Sequence, residues 1–198
     1  MSSAQISLRS REGQFTPSET AAITGTPLHL QRLWRAQGLL RARQGGRASF
    51  TPRELAEMRL MMRMRGLGVS LPASRRAAVE AAPGVVFAAL SEYQRRTLAV
   101  EGAGDEAAAY IRALEQTGDH AHLLILAELE SMSQVYRHAV IENGECRLLH
   151  ALSEDAADET VEAAGLINLW AVAAAIAHAT PRPLFTLVPP KRWTMKCS

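Results

Sequence analysis

Arginines are the residues of this sequence best suited to chemistry, because a guanidinium group binds phosphate and pairs with the edge of guanine. The first group lies in Leu28–Gln37, a segment of helical composition. At 100° per residue, one predicted face carries Leu28, His29, Arg32 and Arg35. The other face, predicted to pack on the core, carries Leu30, Leu33 and Trp34. The pattern predicts a helix that reads base edges, and an apolar Leu28 can contact a thymine methyl. An amphipathic surface helix with solvated arginines is the alternative.

A second group of arginines follows in a glycine-containing segment. Arg41, Arg43 and Arg47 flank the pair Gly45-Gly46. A glycine pair between short extended segments is typical of a hairpin. A basic hairpin beside a groove-reading helix would reach neighbouring phosphates or the minor groove. An ordinary solvated loop would have the same composition.

One helix-start pattern occurs twice and frames these arginines. Phe15–Glu19 and Phe50–Glu54 each contain an aromatic residue, a Thr cap, a Pro and a Glu in that order. The first copy predicts a short helix that ends at Gly25. The second predicts a helix over residues 52–65.

Thr26-Pro27 predicts the start of the arginine-bearing helix, with Thr26 as its cap and Gly38 at its end. Thr16 and Thr26 stand at predicted helix N-termini, where backbone N–H groups favour anions. We therefore expect both threonines to contact phosphate.

A fourth helix is predicted from the Ser70 cap to Ala82, because Pro83-Gly84 would stop it. This gives three predicted parts. They are a flexible tail at 1–14, a winged helix-turn-helix DNA-binding domain at 15–82 and a helical dimerisation or effector domain at 85–198.

The order of these elements resembles the MerR family of bacterial transcription regulators over about Phe15 to Ala82. The segments that carry the resemblance are Ala21-Ala22-Ile23-Thr24-Gly25, Arg32-Leu33-Trp34, Gly38-Leu39-Leu40, Gly45-Gly46-Arg47, Phe50 and Gly66-Leu67-Gly68-Val69-Ser70-Leu71. The resemblance implies a homodimer on a pseudo-palindromic promoter site. It also implies control by DNA distortion, an effector bound by the C-terminal region, and RNA polymerase as a further candidate partner.

The charge distribution agrees with a polyanion partner for the first half of the chain. Residues 1–100 carry 15 Arg and 6 Glu, a formal charge of +9, whereas residues 101–198 carry 7 basic and 14 acidic residues, or −7. Two distant cysteines give neither a disulfide framework nor a zinc pattern, so we expect a reduced, cytoplasmic, nucleoid-associated protein. The apolar run Ala163–Ala179 is short and contains Asn168 and His178, which predicts a buried helix and not a membrane span.

The C-terminal half is predicted to be mostly helical, which makes the fold mainly α with a short strand pair at most. Helices are expected at 85–100, 105–116, 119–142 and 165–179, and a short strand at 184–188. Asn143-Gly144 leaves two interpretations open. It ends the helix of 119–142, or it is the turn of a hairpin between residues 135–141 and 146–152.

No catalytic triad spacing, phosphate loop or dinucleotide motif occurs, so we predict a protein that is not an enzyme and needs no cofactor. His120 with His122 and His138, or Cys146 with His150, could in principle bind a metal, but isolated side chains are the better interpretation. The effector residues are unknown, with Trp170, Tyr136 and the methionines as candidates. Two alternatives to a promoter-specific regulator are an architectural or excision-type DNA-binding factor without an effector, and a protein-interaction module.

Overall fold

The computed structural model describes residues 9–40, 48–101, 135–150 and 165–188. The predicted basic loop with Arg41, Arg43 and Arg47 lies outside these ranges, as do the predicted helix at 105–116, most of that at 119–142, and His120 and His122. The helices are α1 (Pro17–Thr24), α2 (Leu28–Ala36), α3 (Pro52–Gly66), α4 (Leu71–Glu92), α5 (Gln94–Thr97) and α6 (Leu169–Ala179). The strands are β1 (Arg9–Glu12), β2 (Leu98–Val100), β3 (His138–Glu142), β4 (Glu145–Leu149), β5 (Gly165–Asn168) and β6 (Phe185–Val188).

Both predicted capping boxes are present, and they lie side by side. The Thr16 hydroxyl accepts from the Glu19 N–H at 3.3 Å, and the Glu19 carboxylate accepts from the Thr16 N–H at 2.8 Å. Thr51 and Glu54 repeat this geometry at 3.3 and 2.7 Å. The buried residue before each cap, Phe15 or Phe50, exchanges two backbone hydrogen bonds of 2.9 Å with its counterpart. The repeated sequence therefore joins the starts of α1 and α3.

Helix α2 begins differently from the prediction. Its N-cap is Pro27, and no side chain caps it, so Thr26 is not the cap. The Gln31 Nε2 donates to the carbonyls of Thr26 at 2.8 Å and Pro17 at 3.0 Å. A contact between α1 and α2 therefore holds the start of α2, without a side-chain cap on its first N–H groups.

Helix α4 continues through Pro83, so the predicted helix end at Pro83-Gly84 is wrong. A proline inside a helix removes one N–H donor and leaves the carbonyl four residues earlier without its partner. That carbonyl belongs to Val79, and the Arg53 guanidinium of α3 donates to it at 3.5 Å. The helix is buried on both sides of the proline, at Ala82 and Val85 for example, and this packing offsets the cost of the proline, about 3 kcal/mol.

A hairpin occupies the place of the predicted end of the helix at 119–142. Strands β3 and β4 pair in antiparallel fashion, with Val140 opposite Arg147. Asn143 and Gly144 both have positive φ, 49° and 79°, as a two-residue type I′ turn requires. The hairpin interpretation of Asn143-Gly144 is therefore correct.

Strand β5 adds to β3 in antiparallel fashion, so the predicted helix at 165–179 starts four residues late, after the Asn168 cap. Its predicted stop at Thr180 is confirmed. The described C-terminal residues therefore contain more strand than we predicted.

The second three-stranded sheet joins the two ends of the described chain. Its order is β1-β6-β2, with β6 antiparallel to β1 and parallel to β2. Two predictions were wrong here: Arg9–Glu12 is a strand and not a frayed tail, and the helix predicted to reach Val100 gives way to β2. The short strand predicted at 184–188 is confirmed as β6.

One hydrophobic cluster runs through the described residues from Phe15 to Leu187. Helix α6 contributes to this cluster and packs against α1, α3 and α4. The helices of the predicted DNA-binding domain therefore share their core with residues from the C-terminal half of the chain.

Candidate nucleic-acid interface

The turn between α1 and α2 is fixed by short-range hydrogen bonds. Gly25 adopts the left-handed conformation (φ 73°), and its N–H donates to the Ala21 carbonyl at 2.9 Å. The Thr24 hydroxyl donates to the Thr20 carbonyl at 2.7 Å and accepts from the Thr26 N–H at 3.1 Å. Together with the Gln31 side chain, these bonds define how α2 leaves α1.

The buried stripe of α2 consists of Gln31 and Trp34, which are 2% and 1% exposed. Leu33 lies about 130° from the middle of this stripe at 100° per residue. It is 47% exposed, so the prediction that Leu33 packs on the core is wrong. The reason is that the polar Gln31, held by two carbonyls, takes a core position that hydrophobicity alone assigned to leucine.

The exposed face of α2 is therefore rotated about the helix axis from the face predicted by sequence. His29 lies at its middle, with Arg32 and Leu33 on either side, and Leu28 is 41% exposed near its edge. Arg32 is exposed and has no ion pair with the described residues. This face combines a cation, an imidazole and two apolar side chains.

Arg35 is placed differently from Arg32. It is half-buried, and its guanidinium carbon lies 5.1 Å from the centre of the Phe50 ring. This cation–π contact stacks Arg35 on the start of α3. Arg35 therefore lies at the edge of the exposed face and supports the packing beneath it.

The two threonines predicted to contact phosphate have different environments. Thr16 is exposed at the N-terminus of α1, where its hydroxyl also donates to Glu19 at 2.9 Å. Thr26 is 0% exposed, and its hydroxyl has no hydrogen-bond partner among the described residues. The Thr26 side chain has no access to a phosphate, so we leave it out of the proposed interface.

Sequence reasoning missed Arg182, which follows α6 and ion-pairs with Glu19 at the start of α1. Its guanidinium carbon also lies 5.6 Å from the centre of the Phe15 ring. Hydrogen bonds from the Thr16 backbone and side chain, together with Arg182, hold the pKa of Glu19 below its ordinary value despite partial burial. Arg182 thus offsets the only carboxylate of the α1 capping box. No local pattern marks it, because the two partners are 163 residues apart in the chain.

The basic loop begins and ends at anchored positions, although its arginines lie outside the described residues. Leu40 and Phe50 are 2% and 1% exposed. The Leu39 N–H donates to the Trp34 carbonyl at 2.8 Å. The described residues on either side of residues 41–47 are therefore held in place by the core.

The other candidate sites receive no support from the geometry. Within residues 9–40, 48–101, 135–150 and 165–188, no three His, Cys, Asp or Glu side chains are grouped to hold a metal ion. Tyr136 donates to Glu80 at 2.6 Å and stacks on His150, whereas Trp170 lies under Arg137, so Tyr136 and Trp170 line no common pocket. Across the described helices, none has both the length and the apolar character needed to cross a membrane.

Residues 15–79 match the family model of the MerR HTH family regulatory proteins. The matched range begins at Phe15 and ends within α4, so it contains α1, the turn, α2, the basic loop and α3. A search of curated proteins gives no match to the chain.

Proposed function

We propose that the protein is a sequence-specific, DNA-binding transcription regulator, because residues 15–79 match the family model of the MerR HTH regulatory proteins. The observation that supports the proposal most is the surface of α2. Gln31 and Trp34 anchor the helix from beneath, while His29, Arg32 and Leu33 face outward. A helix held in this way can enter the major groove with its side chains in fixed positions.

Each outward residue has a distinct proposed role. Arg32 pairs with guanine or clamps a phosphate, and His29 contacts a base edge or the backbone. Leu33 and Leu28 contact thymine methyl groups, which only the major groove presents. Arg35 adds charge at the margin of the interface.

Contacts outside α2 fix the position of the protein on the duplex. We assign phosphate contacts to Thr16 at the N-terminus of α1 and to Arg41, Arg43 and Arg47 of the basic loop. These contacts are independent of sequence and give the complex most of its salt dependence.

We further propose that two copies bind one pseudo-palindromic promoter site, because a two-fold symmetric protein matches a two-fold symmetric operator. Such a regulator acts at the nucleoid, in the cytoplasm, together with RNA polymerase. Distortion of the promoter by the dimer is the proposed means of control, since the energy of bending or untwisting DNA depends on its sequence. The shared core of α6 with α1, α3 and α4 offers a route by which the C-terminal region can influence that distortion.

The test starts with genome-wide mapping of bound sites in the native host, followed by anisotropy titrations on a mapped duplex. We compare Arg32→Gln with Arg76→Gln, which removes an exposed arginine from α4. Loss of one base contact of about 1–3 kcal/mol predicts at least a fivefold loss of affinity for Arg32→Gln. If Arg32 instead clamps a phosphate, the salt slope becomes shallower by about 0.9 per contact. Equal affinities and slopes for both variants would show that Arg32 is not in the interface.

The same maps separate the alternatives. Tiled coverage with little sequence preference favours an architectural factor. The apolar Leu28 and Leu33, both more than 40% exposed, also suit a protein partner. In that case DNA affinity stays at the non-specific level, and Leu33→Asp disrupts the protein complex without changing DNA binding.

A further inference from the structure

A groove with a volume of about 500 Å³ lies between α3 and the segment that contains β5 and the first turn of α6. This volume falls within the roughly 300–1,000 Å³ of small-molecule sites. One wall belongs to the helix-turn-helix domain, because α3 lies within residues 15–79, and the other belongs to the C-terminal half. A molecule bound in this groove would contact both parts of the chain.

The floor of the groove is apolar. The apolar side chains that line it are Met62, Leu67, Leu166, Ile167, Ala171 and Val172. Leu166 is 52% exposed, the largest exposed fraction among the large apolar side chains of the described residues. An exposed leucine at the wall of a concave surface is a position where an apolar ligand gains area by binding.

The charged residues of the groove are Arg59 and Arg63, and none of the described residues that line it is acidic. Arg63 is exposed and has no ion pair with the described residues. The Arg59 Nε–H is buried and has no hydrogen-bond partner within the described part of the chain. Burial, and to a lesser extent the neighbouring Arg63 cation, lowers the pKa of Arg59.

The N-terminus of α6 also borders the groove, but it does not supply the anion site. The Asn168 side chain accepts from the N–H groups of Trp170 and Ala171 at 2.9 and 3.2 Å, and the Leu169 N–H donates to the Arg137 carbonyl. These donors are occupied, so the two arginines carry the recognition of negative charge.

Arg59 connects the groove to the DNA-binding helices. Its Nη1 donates to the carbonyl of Ile23, in the last turn of α1 and directly before the turn that leads to α2. An anion that binds the Arg59 guanidinium from the groove would compete with this bond or strengthen it. Either change acts on the segment that orients α2.

We propose that the groove between α3 and α6 is the effector site, and that it binds a small amphipathic organic anion, a carboxylate on an apolar body. The carboxylate contacts Arg59 and Arg63, and the apolar body covers Leu166, Leu67 and Met62. This assignment deepens the proposed function, on which it rests for the consequence that binding changes DNA affinity.

The test measures direct binding to the full chain without DNA, by isothermal titration, so that it does not depend on an operator. The probes are octanoate and 1-naphthoate, each paired with its uncharged amide. A charge-assisted contact raises affinity by about a factor of ten, so we expect each carboxylate to bind at least tenfold more tightly than its amide. Arg63→Gln should abolish this preference, whereas Arg65→Gln, a matched change on the same helix outside the groove, should retain it.

A second variant tests the apolar part of the site. Ala171→Phe fills the groove without altering its charge. We expect it to lower the affinity for carboxylates and for amides alike by at least tenfold. Equal affinity for carboxylates and amides, an equal loss in Arg65→Gln, or no binding of either carboxylate would overturn the assignment.

A final titration with the mapped operator, with and without octanoate, links the site to regulation. A shift in operator affinity that disappears in Arg63→Gln is the expected result. Octanoate binding without DNA binding would support the groove as a ligand site and refute the proposed function. Operator binding without probe binding would refute the groove and retain the proposed function.

Discussion

Glu57 is the residue whose removal gives the most direct test of how α3 is held against α4. Its side chain is buried, with 5% exposure, and its two carboxylate oxygens face two arginines. The Arg53 Nε lies 3.3 Å from one oxygen, and the Arg75 Nη1 of α4 lies 3.2 Å from the other. Glu57→Gln keeps the shape of this side chain and removes its charge.

The expected loss follows from the environment of the three groups. Breaking a fully buried ion pair costs about 3–5 kcal/mol. The Arg53 and Arg75 side chains are 32% and 23% exposed, so water solvates them in part once the carboxylate is gone. Neither of these two nitrogens makes a hydrogen bond of good geometry with the described residues. We therefore expect a loss of about 2 kcal/mol, below the buried-pair range.

Chemical denaturation at neutral pH measures this change, and a thermal scan should show a decrease in Tm of about 4–8 °C. Glu92→Gln, on the exposed side of α4, is the control, with an expected change below about 0.5 kcal/mol. The Glu57 effect should persist in concentrated salt, because partly buried pairs are screened little. A Glu57→Gln protein as stable as the control variant, or one that loses its deficit in salt, would refute this account of the α3–α4 contact.

Three other predictions concern the charge of Glu19, the reactivity of the Cys146 thiol and the backbone conformation of Gly144. Glu19→Gln should lower the free energy of unfolding by about 0.5–1 kcal/mol at pH 7. Because the folded pKa of Glu19 lies below its ordinary 4.5, this difference should disappear as acid protonates Glu19. Denaturation curves recorded across a range of pH measure it. Burial, and to a lesser extent the Glu80 carboxylate, raises the pKa of Cys146 to about 11. At pH 8 iodoacetamide should therefore modify Cys146 about 100-fold more slowly than an ordinary thiol. The rate is measured in a Cys197→Ser background and compared with that of the urea-unfolded chain. Gly144→Ala should cost about 1 kcal/mol because φ is 79°, whereas Gly66→Ala, in open space at the end of α3, should be neutral or stabilising.

The local signals in the sequence predicted the helix starts well. The Thr-Pro-x-Glu pattern defines both capping boxes within four residues, and no distant contact is needed to form them. The same is true of Ser70 and of the stop at Thr180. These features depend on neighbouring residues alone, so periodicity and capping rules suffice.

Features that depend on distant residues were not predicted. Pro83 predicts a helix stop, because the Arg53 guanidinium that donates to the Val79 carbonyl in place of the missing proline N–H lies 26 residues away in the chain. The hydrophobic pattern predicts Leu33 as a core residue, because no neighbouring residue in the sequence indicates that carbonyls of α1 and the turn hold Gln31. Strand β1 is polar and short, and only its pairing with β6 makes it a strand.

The candidate interface divides in the same way. Outward positions for Arg32 and His29 follow from helical phase, and the structure places both on the exposed face. The location of Arg182 beside Glu19 does not follow from any spacing in the sequence. The groove between α3 and α6 was likewise unpredictable, because its two walls are about 100 residues apart in the chain and β5 was interpreted as helix.

The pairing of β1 with β6 has a consequence for how the protein is made. Residues 9–12 leave the ribosome long before residues 185–188, with which they pair, are synthesised. Synthesis at about 5–20 residues per second separates the two strands by roughly ten to thirty-five seconds. During that interval the arginine-bearing α2 is already outside the ribosome, but β1 still lacks its partner strand. The nascent chain therefore pairs β1 with β6, and acquires the Arg182 contact at the start of α1, only after residues 182–188 have been made.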